Sequence, residues 1–236
     1  MRASRRSEAA LSPSEARILA HLASRRRSCR AFLGEPLPDA TIERLFETAR
    51  HTASWCNTQP WRIVVTRGAG TERFRAAMQA AARAQPPASD FPFPAGYRGV
   101  HLERRREAGL QLYDAVGVRR GDRDASAAQA LRNFDFFGAP HVLVVTVPAE
   151  LGPYALVDAG GWVANFLLAA EAHGVAAIAQ AALARHAAAI RAHFGLPADQ
   201  QVVCGISFGH ADADDPANGY RTSRVPVDAT LQWSRD

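Results

Sequence analysis

The chain has 236 residues, of which 47% are hydrophobic and 22% charged, a composition typical of a soluble globular protein. Its formal net charge is +5, but the arginines that supply all of its basic charge are scattered, which argues against nucleic-acid binding. No apolar run reaches the roughly 18 residues of a membrane helix, and the basic N-terminus lacks the apolar segment of a secretory signal. Three widely spaced cysteines, Cys29, Cys56 and Cys204, predict a reducing compartment, so we expect a cytoplasmic protein that binds neither membrane nor nucleic acid.

In chain order, the sequence predicts a disordered tail over residues 1–13 and one domain over residues 14–236. Apolar residues at helical spacing predict helices that start near 14 and 38 and that cover about 71–84, 100–116, 122–134, 156–173 and 186–194. Short apolar runs predict buried strands at 61–66, 141–147, 175–179 and 201–209. Strands separated by helices indicate an α+β or α/β sandwich with a small central sheet.

One stretch between helices is unusual, because "QPPASDFPFPAGYRG" is rich in both proline and aromatic residues. Proline excludes regular structure there, whereas the aromatic side chains are too apolar for a linker. We interpret it as part of a lid insertion over about residues 85–125.

The first candidate site is "RRRSCRAF", which has four arginines within six residues and follows the first helix directly. A solvated charged loop is the default interpretation of such a cluster. Ser28 adds a short hydroxyl among the guanidinium groups, however, and Phe32 can anchor the segment in a core. The pattern therefore indicates a clasp for a phosphate or pyrophosphate, held by charge-assisted bonds.

The second candidate site is "ASWCNTQPW". Asn57 and Gln59 each offer a hydrogen-bond donor and an acceptor on one amide, which suits the edge of a flat heteroaromatic ring. Pro60 is expected to hold Gln59 extended. Trp55 and Trp61 can flank a planar ligand or can belong to the core. A phosphate clasp with an amide-edged slot is the combination that a flavin mononucleotide (FMN) site needs.

Other chemistries have weaker support. Gly205 to Gly209 match the G-x-S-x-G elbow of hydrolases, which a helix and then an Asp and a distant His must follow. Here no helix follows, and the only later histidine, His210, is three residues from Ser207, so a tightly packed core strand is favoured. The eight histidines form no metal-binding motif, and Cys56 has no evident base beyond His51. The chain has no lysine, which excludes a phosphate-binding P-loop, and no glycine-rich dinucleotide motif follows a strand.

With "RRSCRAF" followed by "ASWCNTQPW", the sequence resembles the FMN-dependent nitroreductase family, in particular its nitrobenzoate reductase-like branch. The resemblance extends from about residue 24 to 227 and includes "DAGGWVANFLLAAEAHG" and the late "SRVPV". It implies a three-layer α-β-α sandwich with a small mixed or antiparallel sheet, in an intertwined homodimer whose sites lie at the interface.

The resemblance also implies roles for individual residues, and none of them is catalytic in itself. The phosphate, ribityl chain and pyrimidine edge of FMN would contact Arg26, Arg27, Ser28 and Arg30, and Arg224 would close on the phosphate. Further FMN contacts would come from Arg132, Asn133, Gln180 and Ala181. The remaining contacts would come from the second motif, through Ser54, Trp55, Asn57 and Gln59. The first three of these, Ser54, Trp55 and Asn57, would belong to the partner subunit.

The activity that the resemblance implies is two-electron, ping-pong transfer from NADH or NADPH through FMN to a nitroaromatic or quinone-like acceptor. Enone reduction, reductive dehalogenation and flavin destruction on the same fold remain open. So does a flavin-binding protein without turnover. Trp55 departs from the common family pattern, and its bulk would narrow the acceptor pocket.

Overall fold

A computed structural model describes residues 13–84 and 86–235 of the chain. The tail predicted over residues 1–13 lies outside this description except for Pro13, where the first helix begins. Predicted and observed helix ends agree within about three residues. Within the described ranges the helices are α1 Pro13–Arg25, α2 Asp39–Ala49, α3 Ala69–Ala84, α4 Gly99–Ala115, α5 Arg123–Leu131, α6 Tyr154–Ala172, α7 Ala181–Ala184 and α8 Ala187–Phe194.

The strands form one four-stranded sheet in the order β1-β2-β4-β3, in which every neighbouring pair is antiparallel. This arrangement confirms the small sheet of an α+β fold and decides for the antiparallel alternative. The strands are β1 Arg62–Thr66, β2 His141–Pro148, β3 Ala176–Gln180 and β4 Gln200–Gly209.

Helices cover both faces of the sheet because β2, one of its two central strands, carries apolar side chains on both faces. Every residue of β2 from His141 to Val147 is buried. Alternate side chains of β2 enter two separate cores, since successive residues of a strand point to opposite faces. One core contains Leu143 and Val145 with Trp162 of α6, and the other contains Val144 with Phe74 of α3. The result is the predicted three-layer sandwich.

The two outer strands have different surroundings. The sequence predicts β1 as a buried strand, which is correct in position but wrong in burial, because Val65 is 38% exposed. An edge strand has a neighbour on one side only, and β1 pairs only with β2. At the other edge, Ser28 forms a parallel bridge to Ala177 of β3, and the Cys29 N–H donates to the Ala177 carbonyl at 3.2 Å.

The proline-rich segment is irregular, as predicted, and is fixed at its beginning. The Asp90 carboxylate accepts hydrogen bonds from the Arg191 guanidinium and, at 2.7 Å, from the Val202 N–H. Further along, Tyr97 lies under the Arg105 guanidinium, 5.1 Å from its ring centroid. The segment therefore leads from the sheet to α4, and its action as a lid stays a prediction.

A buried histidine ties the loop before α2 to the sheet. The Leu37 N–H donates to Nε2 of His141 at 2.9 Å, which requires that nitrogen to be unprotonated. Nδ1 lies 3.3 Å from the Thr66 carbonyl and donates to it. Burial, the largest influence, lowers the pKa of His141, so the folded state favours the neutral ring.

We expect acid to destabilise the fold through His141. Because its pKa is lowered on folding, the unfolded chain binds more protons in the window from the ordinary value of about 6.5 down to the folded value, and stability there rises with pH. His141→Gln removes this titration, so the slope of unfolding free energy against pH should fall by up to about 1.4 kcal/mol per pH unit. Urea unfolding between pH 7.5 and 5 measures the slope. His21→Gln, at an exposed site, is the control, and a slope unchanged in His141→Gln would contradict the assignment.

Candidate functional site

The first half of the candidate site is a basic pocket with a volume of about 560 Å³. It contains all five residues that the sequence predicts around a phosphate, although one of them lies nearly 200 positions from the rest. The lining consists of residues 23–28, Arg30, residues 220–222 and Arg224, and hence includes the predicted Arg26, Arg27, Ser28, Arg30 and Arg224. Tyr220 and Arg221 were not predicted.

Local structure explains how the arginines come to line one cavity. Helix α1 ends at Arg25, and the chain then runs extended along the edge of β3 through the bridge between Ser28 and Ala177. Phe32 is 8% exposed and packs in the core, as predicted. Because both ends of the segment are fixed, its polar side chains are held at the surface between them.

Asn218 joins the C-terminal segment to this loop, and sequence reasoning missed it. Its Oδ1 accepts from the Arg30 N–H at 2.7 Å, and its Nδ2 donates to the carbonyls of Ala31 and Asp212 at 2.9 and 2.7 Å. The side chain is 4% exposed, so these bonds replace water completely. This clamp is what brings residues 220–224 to the pocket. The only signal in the sequence is the turn chemistry of "ADADDPANG".

The pocket carries uncompensated positive charge. No Asp or Glu lines it, although Glu171 outside the lining pairs with one of its arginines, Arg25, at 3.0 Å. Burial and the charge of Arg27 lower the pKa of Arg221, which indicates guanidinium groups that repel one another. In the described part of the chain, no ion pair joins Arg26, Arg27, Arg30, Arg221 or Arg224 to an acidic residue. Such a cavity suits a multiply charged anion.

A second group of predicted residues meets where β3 passes into α7. The Gln180 amide donates to the Asn133 carbonyl at 2.9 Å and accepts from the Ser207 hydroxyl at 2.5 Å. Gln180 is 2% exposed, so its side chain is fully engaged and only the backbone at Ala181 remains for a ligand. Ala177 and Ala181 are four residues apart, about 13 Å along a strand. The basic pocket and this backbone therefore adjoin along one sheet edge.

The remaining residue of this group, Arg132, does not line the basic pocket. Its guanidinium lies 3.8 Å from the Asp215 carboxylate, which in turn accepts from the Ala217 N–H at the turn that carries Asn218. Arg132 thus supports the same turn as the clamp.

The G-x-S-x-G segment is a core strand, as the sequence analysis favours. Ser207 is completely buried on β4 and bonds to Gln180, so it has no access to a substrate. A Cβ at Gly205 would lie 2.4 Å from Cδ1 of Leu183, so a larger residue there would displace the buried Leu183 side chain.

The second half of the candidate site is the amide lip, which we define as residues Ser54–Gln59. Its residues from Trp55 onward are exposed. The prediction that Gln59 is extended is wrong, because its φ is +47° and those of Cys56 and Asn57 are also positive. Pro60 excludes the right-handed helical region, and the Gln59 N–H instead donates to the Ser54 hydroxyl at 2.9 Å. A positive φ costs energy in a non-glycine residue, and residues strained in this way are often found at binding sites.

Helix α6 holds the lip in place. Both carboxylate oxygens of Asp158 accept from the Trp55 N–H at 3.1 Å, and the rings of Trp55 and Tyr154 lie 5.4 Å apart. Just before the lip, the Thr52 hydroxyl accepts from the Asn165 amide at 2.7 Å. These supporting residues of α6 were not predicted. Trp61, by contrast, packs partly against the core and does not flank the lip.

Within one chain the basic pocket and the amide lip are far apart. The lip contacts α6 at Asp158, whereas Arg25 of the pocket contacts it at Glu171, thirteen residues or about 20 Å further along the helix. The lip leads into β1 and the pocket adjoins β3, the opposite edges of the sheet. The structure therefore assembles two half-sites, and it does not bring the lip residues to the arginines.

Residues 13–84 and 86–235 contain no cluster of three or more His, Cys, Asp or Glu residues that could hold a metal ion. None of their helices is both long and apolar enough to cross a bilayer.

Comparison with known proteins gives consistent matches over most of the chain. The profile of the Nitroreductase family matches residues 23–210. Nitroreductase NfnB of Mycolicibacterium smegmatis is 36% identical over 211 residues, which are 89% of this chain and 90% of that protein. A 4-nitrobenzoate reductase of Nocardioides sp. is 34% identical over 218 residues, 89% of this chain and 88% of the relative.

Solved structures agree with this result. The crystal structure of the FMN-dependent nitroreductase NfnB from Mycobacterium smegmatis in complex with NADPH superposes with a TM-score of 0.90 at 35% identity, covering 94% of this chain and 100% of that one. The FMN- and NADPH-dependent NfnB from Sphigopyxis sp. strain HMH gives 0.83 at 32% identity, with 92% and 99% covered. The matched profile ends before Asn218, Arg221 and Arg224, so the C-terminal residues of the pocket lie outside the matched range.

We predict that the Asn218 clamp stabilises the fold. Asn218→Ala leaves the Arg30 N–H and the Asp212 carbonyl without their partner and removes one of the bonds to the Ala31 carbonyl, which should lower the free energy of unfolding by about 1–3 kcal/mol. Urea unfolding measures this change. Ser223→Ala, in the same tail but exposed, should stay within about 0.5 kcal/mol of the unchanged protein. Equal stability of the two variants would refute the clamp.

Proposed function

Because the chain belongs to the nitroreductase family, we propose that it is an FMN-dependent oxidoreductase that uses NADH or NADPH to reduce nitroaromatic or quinone-like acceptors. The observation that carries this proposal is the basic pocket, in which guanidinium groups converge without a carboxylate. The cofactors of the two NfnB relatives, FMN and NADPH, are anions with phosphate groups that such a pocket suits.

The residues present fit FMN at its phosphate end. Arg26, Arg27 and Arg224 supply charge and forked donors, and Ser28 supplies a hydroxyl. Phosphate binds best where donors are charged and already positioned, and the bridge to Ala177 and the Asn218 clamp position these. Arg30 lies over the Tyr220 ring at 5.8 Å, which limits its movement.

The ring end of FMN would extend along β3. With the Gln180 side chain bonded to Asn133 and Ser207, the backbone N–H of Ala181 is the group that this region offers to a ring atom. Bound FMN would supply the two-electron chemistry between nicotinamide and acceptor. The protein would bind, orient and shield the reactants, and no side chain needs to act as a nucleophile.

We propose that a second copy of the chain completes each site. One chain holds its lip and its pocket at distant points of α6, so the lip of one copy would reach the pocket of the other. The exposed stripe of α6, formed by Tyr154, Val157, Gly161 and Ala164, is apolar and small in the middle, which permits close helix packing. Val157 is 69% exposed, which is unusual for a helix this apolar.

Exposed apolar side chains of the single chain support the homodimer. On α6 these include Tyr154, at 64% exposed, beside Val157. Apolar residues of the C-terminal segment contribute, including Val227 at 70% and Trp233 at 69% exposed.

We place the protein in the cytoplasm. The support for this proposal is that Cys29, Cys56 and Cys204 are all free thiols, as expected in a reducing compartment.

The proposed activity has a direct test. Purified protein should be yellow, and NADH or NADPH should bleach its flavin bands without oxygen. A panel of nitrobenzoate, quinone, enone and haloaromatic acceptors should then restore the colour, and the fastest acceptor identifies the chemistry. Colourless protein that takes up no FMN would refute the proposal, and bound flavin that neither nicotinamide bleaches would instead identify a flavin-binding protein without turnover.

For the clasp, we expect Arg27→Ala to weaken FMN retention about 10- to 100-fold, because a charge-assisted hydrogen bond contributes about 1.5–3 kcal/mol. Fluorescence titration of the apoprotein with FMN measures the dissociation constant. Arg73→Ala, at an exposed arginine of α3 outside the pocket, is the matched control. Equal retention in both variants would remove Arg27 from the clasp.

For the dimer, we expect Val157→Asp to produce monomers, because the carboxylate would be buried between two copies of α6. Light scattering after gel filtration should show about 25 kDa in place of twice that mass. Ala84→Asp places the same charge on an exposed position of α3, across the sheet, and should leave the mass unchanged. A dimer that persists in Val157→Asp would exclude α6 as the contact.

A further inference from the structure

The segment predicted as a lid contains a second cleft, separate from the basic pocket. Its volume is about 600 Å³, and we call it the arginine cleft. Five of its residues lie on α4, and one follows the helix. The lining residues are Arg105, Arg106, Gly109, Leu110, Tyr113 and Arg120.

The local fold brings these side chains together. Arg106, Gly109, Leu110 and Tyr113 are spaced three or four residues apart, so they share one face of α4. After the helix, Gly117 and Gly121 have φ values of +73° and +90°, which turn the chain back sharply. Arg120 lies in this turn and completes the cleft beside the helix.

The guanidinium groups of the cleft are not neutralised. No carboxylate lines it, and in the described ranges none of its arginines forms an ion pair. Two nearby acids have other partners: Glu107 accepts from Ser223 at 2.9 Å, and Asp122 caps α5 through the Ala125 N–H. A third, Asp114, lines the adjoining hollow and not the cleft itself. The mutual repulsion of the arginines is relieved when an anion binds between them.

The rest of the lining is apolar and aromatic. Leu110 is 59% exposed on the cleft wall, and Tyr113 is half-buried beside it. An adjoining hollow shares Leu110, Tyr113 and Arg120 with the cleft.

We propose that the arginine cleft binds a planar aromatic ring that carries an oxyanion. Arg106 and Arg120 hold the oxyanion, and Leu110 and Tyr113 contact the ring. Guanidinium groups suit this ligand because they bind phosphate and carboxylate in pairs of hydrogen bonds and also stack on rings.

Two reactants of the proposed oxidoreductase have this chemistry, and that identification rests on the proposed function. One is the 2′-phosphorylated adenosine end of NADPH, and the other is a carboxylated aromatic acceptor. The hydrogen bond between Glu107 of α4 and Ser223 joins the cleft-bearing helix to the tail that supplies Arg224 to the basic pocket. A ligand in the cleft would therefore lie beside the segment that closes on the proposed cofactor.

Calorimetric titration of the purified protein tests the cleft without turnover. Adenosine 2′,5′-bisphosphate and benzoate are the charged probes, with adenosine and benzamide as their neutral counterparts. The variants are Arg106→Gln and Arg120→Gln. Arg104→Gln is the matched control, because Arg104 lies on the same helix but outside the cleft.

We expect at least one charged probe to bind more tightly than its neutral counterpart, and each cleft variant to weaken it about tenfold or more. Tighter binding of the bisphosphate assigns the cleft to NADPH, and tighter binding of benzoate assigns it to the acceptor. Equal binding of charged and neutral probes, or an equal loss in Arg104→Gln, would overturn the inference.

The outcome is distinguishable from that of the proposed function. Yellow protein that nicotinamide bleaches but that fails the titration would refute the cleft alone. Colourless protein that takes up no FMN but still binds a charged probe through Arg106 and Arg120 would refute the proposed function alone.

Discussion

The burial of β2 on both of its faces is the constraint on which the rest of the structure depends. A strand with no exposed residue from His141 to Val147 must be covered by helices above and below. Polar binding groups cannot lie on the faces of such a sheet, so they are confined to its edges and to the segments that flank them. The arginine-rich segment along β3 and the amide lip before β1 occupy these two edges.

Because the candidate site is divided between two edges of the sheet, α6 is the element that contacts both of its halves. The same helix fills the core with Trp162 and Phe166, supports the lip through Asp158 and pairs with Arg25 through Glu171. Its exposed apolar stripe is the surface through which a second copy could bring the lip of one chain to the pocket of the other. On this proposal, dimerisation and cofactor binding depend on one element, and a change in α6 packing affects both.

Uncompensated arginine is the second recurrent feature. Both the basic pocket and the arginine cleft gather guanidinium groups without a lining carboxylate, and in both an aromatic side chain lies among them. The pocket is built on the rigid sheet edge, whereas the cleft is carried by α4 and the turn after it. This difference fits a tightly held cofactor in the first and an exchanging reactant in the second.

The sequence was a good guide wherever the determining interactions are local. Periodicity located the helices and strands, and the two motifs pointed to the two segments that flank the sheet edges, because a hydroxyl among arginines or adjacent amides can be recognised without knowing the fold. It erred over Val65, whose exposure depends on which strand has a second neighbour. It erred also over Gln59, whose backbone conformation depends on its hydrogen bond to the Ser54 hydroxyl as well as on Pro60.

By itself, then, the sequence determined the layered architecture, the family and the chemistry of the side chains that each segment presents. Only the tertiary structure decided their arrangement: Asn218 clamps residues 188 positions away, the Gln180 side chain is turned inward, and the lip is separated from the arginines by the length of α6. The physical reason is that composition and spacing encode which groups a segment can bind, whereas long-range hydrogen bonds and strand order decide which other segments it contacts.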